Sequence, residues 1–167
     1  TARSLSRSLR VYHGDKARNA AMDALHARFL EPGDLAFDIG SHVGDRISSF
    51  RRLGARVVAL EPQPGPARAI RLIHGRDPDV VLVEAACGDR RGTATLRINS
   101  ANPTVSTLSG EFIGAASDAD GWREQVWDRE ITVRSTTLDA LIADHGMPDF
   151  IKIDVEGFEA NVLAGLT

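Results

Sequence analysis

The sequence predicts an α/β fold, with a doubly wound, mostly parallel sheet and helices on both of its faces. Three short apolar runs, at 35–39, 56–60 and 80–84, have the length and the β-branched composition of buried strands. A segment with apolar residues at helical spacing follows each of the first two runs. Strands that alternate with helices in this way favour a parallel sheet.

The first half of the chain begins with a predicted helix at 16–30, because Ala21, Met22, Leu25 and Phe29 are spaced to form one buried face. Glycine and proline residues then separate the predicted elements. In order, these are a strand at 35–39, a helix that follows Gly44 and ends at Gly54, a strand at 56–60, a helix at 65–74 and a strand at 80–84.

The second half has a different pattern. Residues 93–98 and 130–134 alternate like strands with one solvated face, and a polar stretch lies between them. Thr137 can cap a helix that ends at Gly146, and a strand at 150–155 follows it. Trp122 and Trp127 flank the polar stretch, and the pattern leaves open whether they form a lid or ordinary packing.

Composition excludes several classes of function. A net charge of −3 and a pI near 5.9 give no basic surface for nucleic acid or for an anionic membrane. No apolar run is long enough to span a membrane. The single cysteine, Cys87, rules out an internal disulfide and favours a reducing, cytoplasmic setting.

The last predicted strand carries charge on one face. Ile151, Ile153 and Val155 alternate with Lys152, Asp154 and Glu156, so alternation places the three charges together. Either this is an edge strand with one wet face, or the charges line a site. In a doubly wound sheet, ligands bind at the carboxyl ends of the strands, where this strand presents Asp154 and Glu156.

The residues at the ends of the first two predicted strands indicate what kind of ligand would bind. Gly40 and Gly44 allow close approach of a ligand to the backbone, but Asp38 occupies the position of the first glycine of a dinucleotide motif. A carboxylate there suits a ligand with a cationic end and no phosphate, such as S-adenosylmethionine. Glu61, at the end of the next strand, is placed to accept hydrogen bonds from the two ribose hydroxyls.

Four motifs together resemble the FkbM family of Rossmann-like, S-adenosylmethionine-dependent methyltransferases. They are Phe-Asp-Ile-Gly-Ser-His-Val-Gly at 37–44, Ala-Leu-Glu-Pro-Gln-Pro at 59–64, Thr-Leu-Asp at 137–139 and Ile-Lys-Ile-Asp-Val-Glu-Gly at 151–157. The resemblance implies that the loop holds the methionine portion, Glu61 the ribose and residues 85–88 the adenine edge. The family often has Ala-Asn where this chain has Ser41 and His42. The cofactor residues that we expect are Asp38, Gly40, Ser41, His42, Gly44, Glu61, Pro62, Ala86 and Cys87.

The resemblance also implies methylation of a hydroxyl oxygen on a small molecule, sugar or lipid. A hydroxyl that attacks a methyl group must lose its proton, so a base is needed nearby. Asp154 is the first candidate for base or acceptor orienter, Glu156 is the second, and Lys152 could keep Asp154 ionised. A structural ion pair between Lys152 and Asp154 is the alternative. Asp154 and Glu156 alone do not make a metal site, so we expect none.

Two other functions stay open at this stage, a non-catalytic nucleotide-binding or scaffold domain and an NAD-dependent oxidoreductase. Family members continue with further strands, so we expect this chain to lack C-terminal strands of the full fold. We expect one domain over 1–167. Its predicted parts are a helical lead-in at 1–34, a cofactor-binding half at 35–89 and an insert of strands and loop at 90–135. The last part, at 136–167, is a helix and the last strand, and we expect it to be incomplete at its C-terminal end.

Overall fold

A computed structural model describes residues 2–167 of the chain. Strands and helices alternate along it, as the sequence predicts. The helices are α1 (Ala2–Gly14), α2 (Lys16–His26), α3 (Asp45–Arg52), α4 (Pro64–His74), α5 (Gly110–Asp118), α6 (Leu138–His145) and α7 (Glu159–Leu163), with a 3-10 turn at Pro103–Val105. The strands are β1 (Leu35–Ile39), β2 (Arg56–Leu60), β3 (Val80–Val83), β4 (Ala86–Cys87), β5 (Gly92–Ile98), β6 (Arg129–Thr136) and β7 (Phe150–Ile153).

The main sheet is parallel throughout, with the strand order β3-β2-β1-β7. This confirms the predicted fold class and places β7 beside β1. In the register between these two strands, Asp38 lies opposite Lys152. All four strands end at the same edge of the sheet, so residues that follow them converge there.

Helices cover both faces of this sheet, and each face has its own apolar core. On one face, Ile47 and Phe50 of α3 and Ile70 of α4 pack against the strands. On the other face, Leu138 and Leu141 of α6 pack with Val162 of α7. Both cores are fully buried, which fixes the strand ends in position.

The insert forms a second, three-stranded sheet with the order β4-β6-β5. β5 and β6 pair antiparallel over their length, which accounts for the predicted strands with one solvated face. The sequence analysis missed α5, because its helix lies in a stretch rich in glycine, serine and aspartate. Ser109 caps this helix by accepting a hydrogen bond from the amide of Phe112, 3.0 Å away.

The predicted buried face of the first helical segment is wrong. α2 ends at His26, and Met22, His26 and Leu30 are the buried residues, whereas Leu25 and Phe29 are more than half exposed. The prediction extends the helix to residue 30, but residues 27–29 form a turn, so Phe29 leaves the helical face. A second helix, α1, precedes α2 within the predicted helical lead-in.

Candidate functional site

The loop at residues 40–44 connects β1 to α3 and lies against the end of β7. Gly40 has a φ of 79°, and a Cβ added to it would lie 2.1 Å from the carbonyl oxygen of Asp154. Only glycine fits this close approach. His42, with a φ of 47°, also has the left-handed conformation, which is uncommon for a residue other than glycine. The loop is therefore held in one specific shape beside the strand end.

Most of the loop amides are already satisfied within the protein. Gly40 and Ser41 both donate to the carbonyl oxygen of Leu60, at 3.1 and 2.9 Å, and Gly44 donates to Ser41 at 2.8 Å. The amide of His42 donates to the carboxylate of Glu61 at 2.8 Å. A loop that cradles phosphate needs free amides that point at the ligand. This loop offers few, so it suits a ligand without phosphate.

Glu61 follows β2 and its carboxylate is held from two sides. Oε2 accepts from the amide of His42 and Oε1 accepts from the amide of Gln63, both at 2.8 Å. Burial raises the pKa of Glu61 to about 7, although these two amides act in the opposite direction. Each carboxylate oxygen keeps a free lone pair. The side chain can therefore accept one hydrogen bond from each hydroxyl of a diol.

On the charged face of β7, Lys152 contacts the end of β1 and the start of the loop. Its ammonium donates to the carbonyl oxygens of Gly40, at 2.7 Å, and Ile39, at 3.3 Å. It lies 3.1 Å from Oδ1 of the fully buried Asp38, but 3.9 Å from Asp154. Asp38 and Lys152 are thus the closer ion pair, and together they fasten the loop to β7. The alternative structural pair of Lys152 with Asp154 is the weaker contact.

We expect Lys152→Met to lower the free energy of unfolding by about 3–5 kcal/mol, because it leaves the carboxylate of Asp38 buried without a cation. Lys16 is the other lysine of the chain and is exposed, so Lys16→Met is a matched control that should cost less than about 0.5 kcal/mol. Chemical denaturation of both variants measures the difference. Equal stabilities would show that the ion pair does not hold the loop.

The strand ends surround an open cavity of about 540 Å³, which we call the cofactor cavity. Most of the predicted site residues line it, namely Gly40, His42, Glu61, Pro62, Ala86, Cys87, Asp154 and Glu156. The sulfur of Cys87 is buried, and burial raises the pKa of its thiol to about 12, so it forms an apolar wall rather than a nucleophile.

Four of the predicted residues do not line the cofactor cavity. Asp38 is enclosed behind the loop, and Gly44 packs against Ile47, Ile70 and His74. Ser41 and Lys152 line a second cavity, described below. A direct contact between Asp38 and a ligand stays a prediction, and in this structure Asp38 acts on the loop through Lys152.

The sequence analysis missed one wall of the cofactor cavity, which residues 103–108 of the insert provide. Thr107 is buried, and its hydroxyl donates to the carbonyl oxygen of Glu156 at 2.6 Å. Phe112 packs edge-on against both Trp122 and Trp127, and the indole of Trp127 donates to Val105 at 2.9 Å. The two tryptophans therefore support this wall. The proline and the hydroxyl residues of the segment carry no sequence signal that would have placed it here.

Glu156 and Asp154 differ in their surroundings. Glu156 has a φ of 54° and is partly buried, and burial, together with the nearby Asp154 and Glu159, raises its pKa to about 7. The side chain of Asp154 is 61% exposed. Strained backbone at a cavity is a common feature of functional sites. Glu156 can therefore gain and lose a proton near neutral pH.

A second cavity of about 460 Å³, which we call the polar cavity, joins the cofactor cavity at Gly40, His42, Thr104, Asp154 and Glu156. The N-terminal helices close its other side. The remaining residues that line it are Tyr12, Arg18, Ser41, Asp45, Arg46 and Lys152.

Within residues 2–167, no group of three or more histidine, cysteine, aspartate or glutamate side chains is arranged to hold a metal ion. Over the same residues, no helix combines the length and the apolar character that crossing a membrane requires.

Comparison with known proteins agrees with the motifs. The family described as the methyltransferase FkbM domain matches residues 38–167. The 31-O-demethyl-FK506 methyltransferase FkbM of Streptomyces tacrolimicus is 33% identical, over an alignment that covers 84% of this chain. The same alignment covers 62% of that protein, so the chain spans less than two thirds of the length of this relative.

Solved structures with partial similarity are methyltransferases. One is the precorrin-6y C5,15-methyltransferase of Geobacter metallireducens GS-15, with a TM-score of 0.36 and 25% identity over 40% of this chain and 37% of that one. Another is the 1,6-didemethyltoxoflavin-N1-methyltransferase of Burkholderia thailandensis, solved with S-adenosylhomocysteine. Its TM-score is 0.35, with 23% identity over 49% of this chain and 39% of that one.

Proposed function

This chain belongs to the FkbM methyltransferase family, and from that premise we propose that it uses S-adenosylmethionine to methylate a hydroxyl oxygen of a small-molecule acceptor. The observation that carries the proposal is that two features occur side by side. Most amides of the loop are satisfied within the protein, and Glu61 is a buried carboxylate that can accept hydrogen bonds from a diol. In this proposal, residues 35–89 form the cofactor-binding half, and the setting is reducing and cytoplasmic.

The residues of the cofactor cavity fit an adenosyl group that carries no phosphate. Glu61 would accept hydrogen bonds from the ribose hydroxyls with the oxygen lone pairs that its two backbone contacts leave free. Ala86 and Cys87 supply an apolar wall for the adenine. Asp154 and Glu156 add negative charge where a sulfonium would need it. The bound cofactor supplies an activated methyl group, so the protein has mainly to position the acceptor and remove its proton.

We assign the role of general base to Glu156. A catalytic base works best when its pKa lies near the working pH, and burial brings the pKa of Glu156 to about 7. Glu156 also lines both cavities at their junction, where an acceptor can reach it. Asp154, exposed and next to it, would orient the acceptor hydroxyl, which is one of the two roles predicted for it.

An oxygen acceptor has independent support from the Streptomyces tacrolimicus relative, whose name places its methyl group on an oxygen. No described residue lining the cofactor cavity is an arginine or a lysine. If the reacting group of the acceptor binds in this cavity, no arginine or lysine among the described residues that line it can neutralise a negative charge on that group. This favours an uncharged hydroxyl over a phosphate or a carboxylate.

Calorimetric titration of the protein with S-adenosylhomocysteine and with NAD tests the proposed cofactor. We expect S-adenosylhomocysteine to bind with micromolar or tighter affinity and NAD to bind at least about 100-fold more weakly, because the loop amides cannot hold a pyrophosphate. Equal affinities would favour the NAD-dependent oxidoreductase. Failure to bind S-adenosylhomocysteine would contradict the methyltransferase assignment.

A further inference from the structure

One side of the polar cavity holds two arginines that share a single carboxylate. Oδ2 of Asp45 accepts from Arg18, at 3.0 Å, and from Arg46, at 2.9 Å. Two guanidinium groups therefore share one carboxylate, whereas Asp154 and Glu156 line the side of the cavity that it shares with the cofactor cavity. Both arginine side chains are partly exposed, at 31% and 27%. A guanidinium has five N–H donors, so each arginine can still bind a second acceptor.

The third cation of the polar cavity, Lys152, is directed toward oxygens of the protein itself. Lys152 has three N–H donors, and it is close to three oxygens, those of Ile39, Gly40 and Asp38. The loop amides are also mostly used within the protein. Arg18 and Arg46 are therefore the best placed groups of this cavity to bind an anionic group.

The position of Arg18 is fixed by the N-terminal helices. Its guanidinium lies over the ring of Tyr12, 4.9 Å from the ring centre, and donates to the carbonyl oxygen of Tyr12 at 3.4 Å. Tyr12 in turn packs edge-on against His42, with ring centres 5.7 Å apart. Tyr12 and Arg18 precede residue 38, where the match to the family begins. They are features of this chain that the family match does not include.

The two cavities meet at the glycine loop, which links this cluster to the cofactor. S-adenosylmethionine has a carboxylate at its amino-acid end, and the cofactor cavity has no arginine or lysine among the described residues that line it. A ligand held by its ribose at Glu61 would pass Gly40 and His42 into the polar cavity, which Arg18, Arg46 and Lys152 line. Both ring nitrogens of His42 are buried at this junction without a hydrogen-bond partner among residues 2–167.

We propose that Arg18 and Arg46 bind the carboxylate of the cofactor's amino-acid end, and that Tyr12 positions Arg18 for this contact. The inference rests on the proposed function, because it takes Glu61 as the ribose site. It gives the N-terminal helices a direct part in cofactor recognition.

Two ligands that differ only in the carboxylate test this contact by calorimetry. One is S-adenosylhomocysteine, and the other is its decarboxylated analogue, which keeps the amine. We expect the wild-type protein to bind S-adenosylhomocysteine about tenfold or more tightly than the analogue, since hydrogen bonds between charged groups are lost. In Arg18→Gln, the ratio should fall below about threefold, because only S-adenosylhomocysteine loses affinity. Tyr12→Leu should lower the ratio in the same direction.

Arg28→Gln is the matched control, because Arg28 is exposed in the turn after α2, and it should leave the ratio unchanged. If Arg18→Gln does not fold, Arg46→Gln makes the same test from α3. The inference would be overturned if the folded variant had an unchanged affinity ratio, or if it lost affinity equally for both ligands. The proposed function would stand in either case. A wild-type protein that binds neither ligand would instead overturn the proposed function.

Discussion

Glu156→Gln should reduce methyl transfer by about 10²- to 10⁴-fold while the affinity for S-adenosylhomocysteine changes by less than about threefold. The loss has this size because general-base catalysis typically contributes that much. Glutamine keeps the shape of the side chain but cannot accept the proton of the acceptor hydroxyl. The measurement is the transfer of a labelled methyl group to a hydroxylated acceptor that the wild-type protein methylates.

The pH dependence of the same reaction identifies the base. The base acts in its ionised form, so wild-type turnover should rise with pH through about 7, where Glu156 titrates. Glu156→Gln should lose this inflection. Asp154→Asn is the informative comparison, because an orienting residue should cost less activity and leave the inflection in place. If Asp154→Asn removes the inflection and Glu156→Gln does not, then Asp154 is the base.

The main sheet and the loop could be predicted from the sequence because their signals are local. A buried parallel strand is a short apolar run, and a strand-to-helix turn with close backbone approach requires glycine at Gly40. Glu61 follows directly from such a strand. For these residues, sequence position alone determines the end of the sheet at which they lie.

Contacts between distant segments could not be predicted in the same way. The sequence analysis grouped Lys152 with Asp154 because they share one strand face, but the register with β1 places Lys152 opposite Asp38. Register is set when the apolar faces of two strands pack together, so the pattern of one strand alone does not show which residue lies opposite Lys152. Our proposal of Glu156 rather than Asp154 as the base likewise rests on burial, which only the folded chain shows.

The walls of the two cavities were missed for a related reason. Residues 103–108 lie in an irregular insert, and Tyr12 and Arg18 lie on helices that precede the first strand. Each reaches the site only through packing against a part of the chain that is remote in sequence. Loops and flanking helices carry much of the function of such sheets, but their position has no periodic signal.

Glu61→Ala should weaken the binding of S-adenosylhomocysteine by about 30- to 1,000-fold. The change leaves two ribose hydroxyls without the charged acceptor that would hold them, a loss of about 2–4 kcal/mol for two such hydrogen bonds. It also leaves the amides of His42 and Gln63 without a partner, so we expect a lower melting temperature as well. Glu84→Ala is the matched control, because Glu84 follows β3 and is largely exposed.

The most direct test of the account is the dissociation constant of S-adenosylhomocysteine, measured by calorimetry for the wild-type protein, Glu61→Ala and Glu84→Ala at a temperature where all three are folded. We predict tight binding by the wild-type protein and Glu84→Ala, and a loss of at least about 30-fold in Glu61→Ala. The same affinity in all three proteins would contradict the assignment of Glu61 to the ribose and the cofactor site built on it.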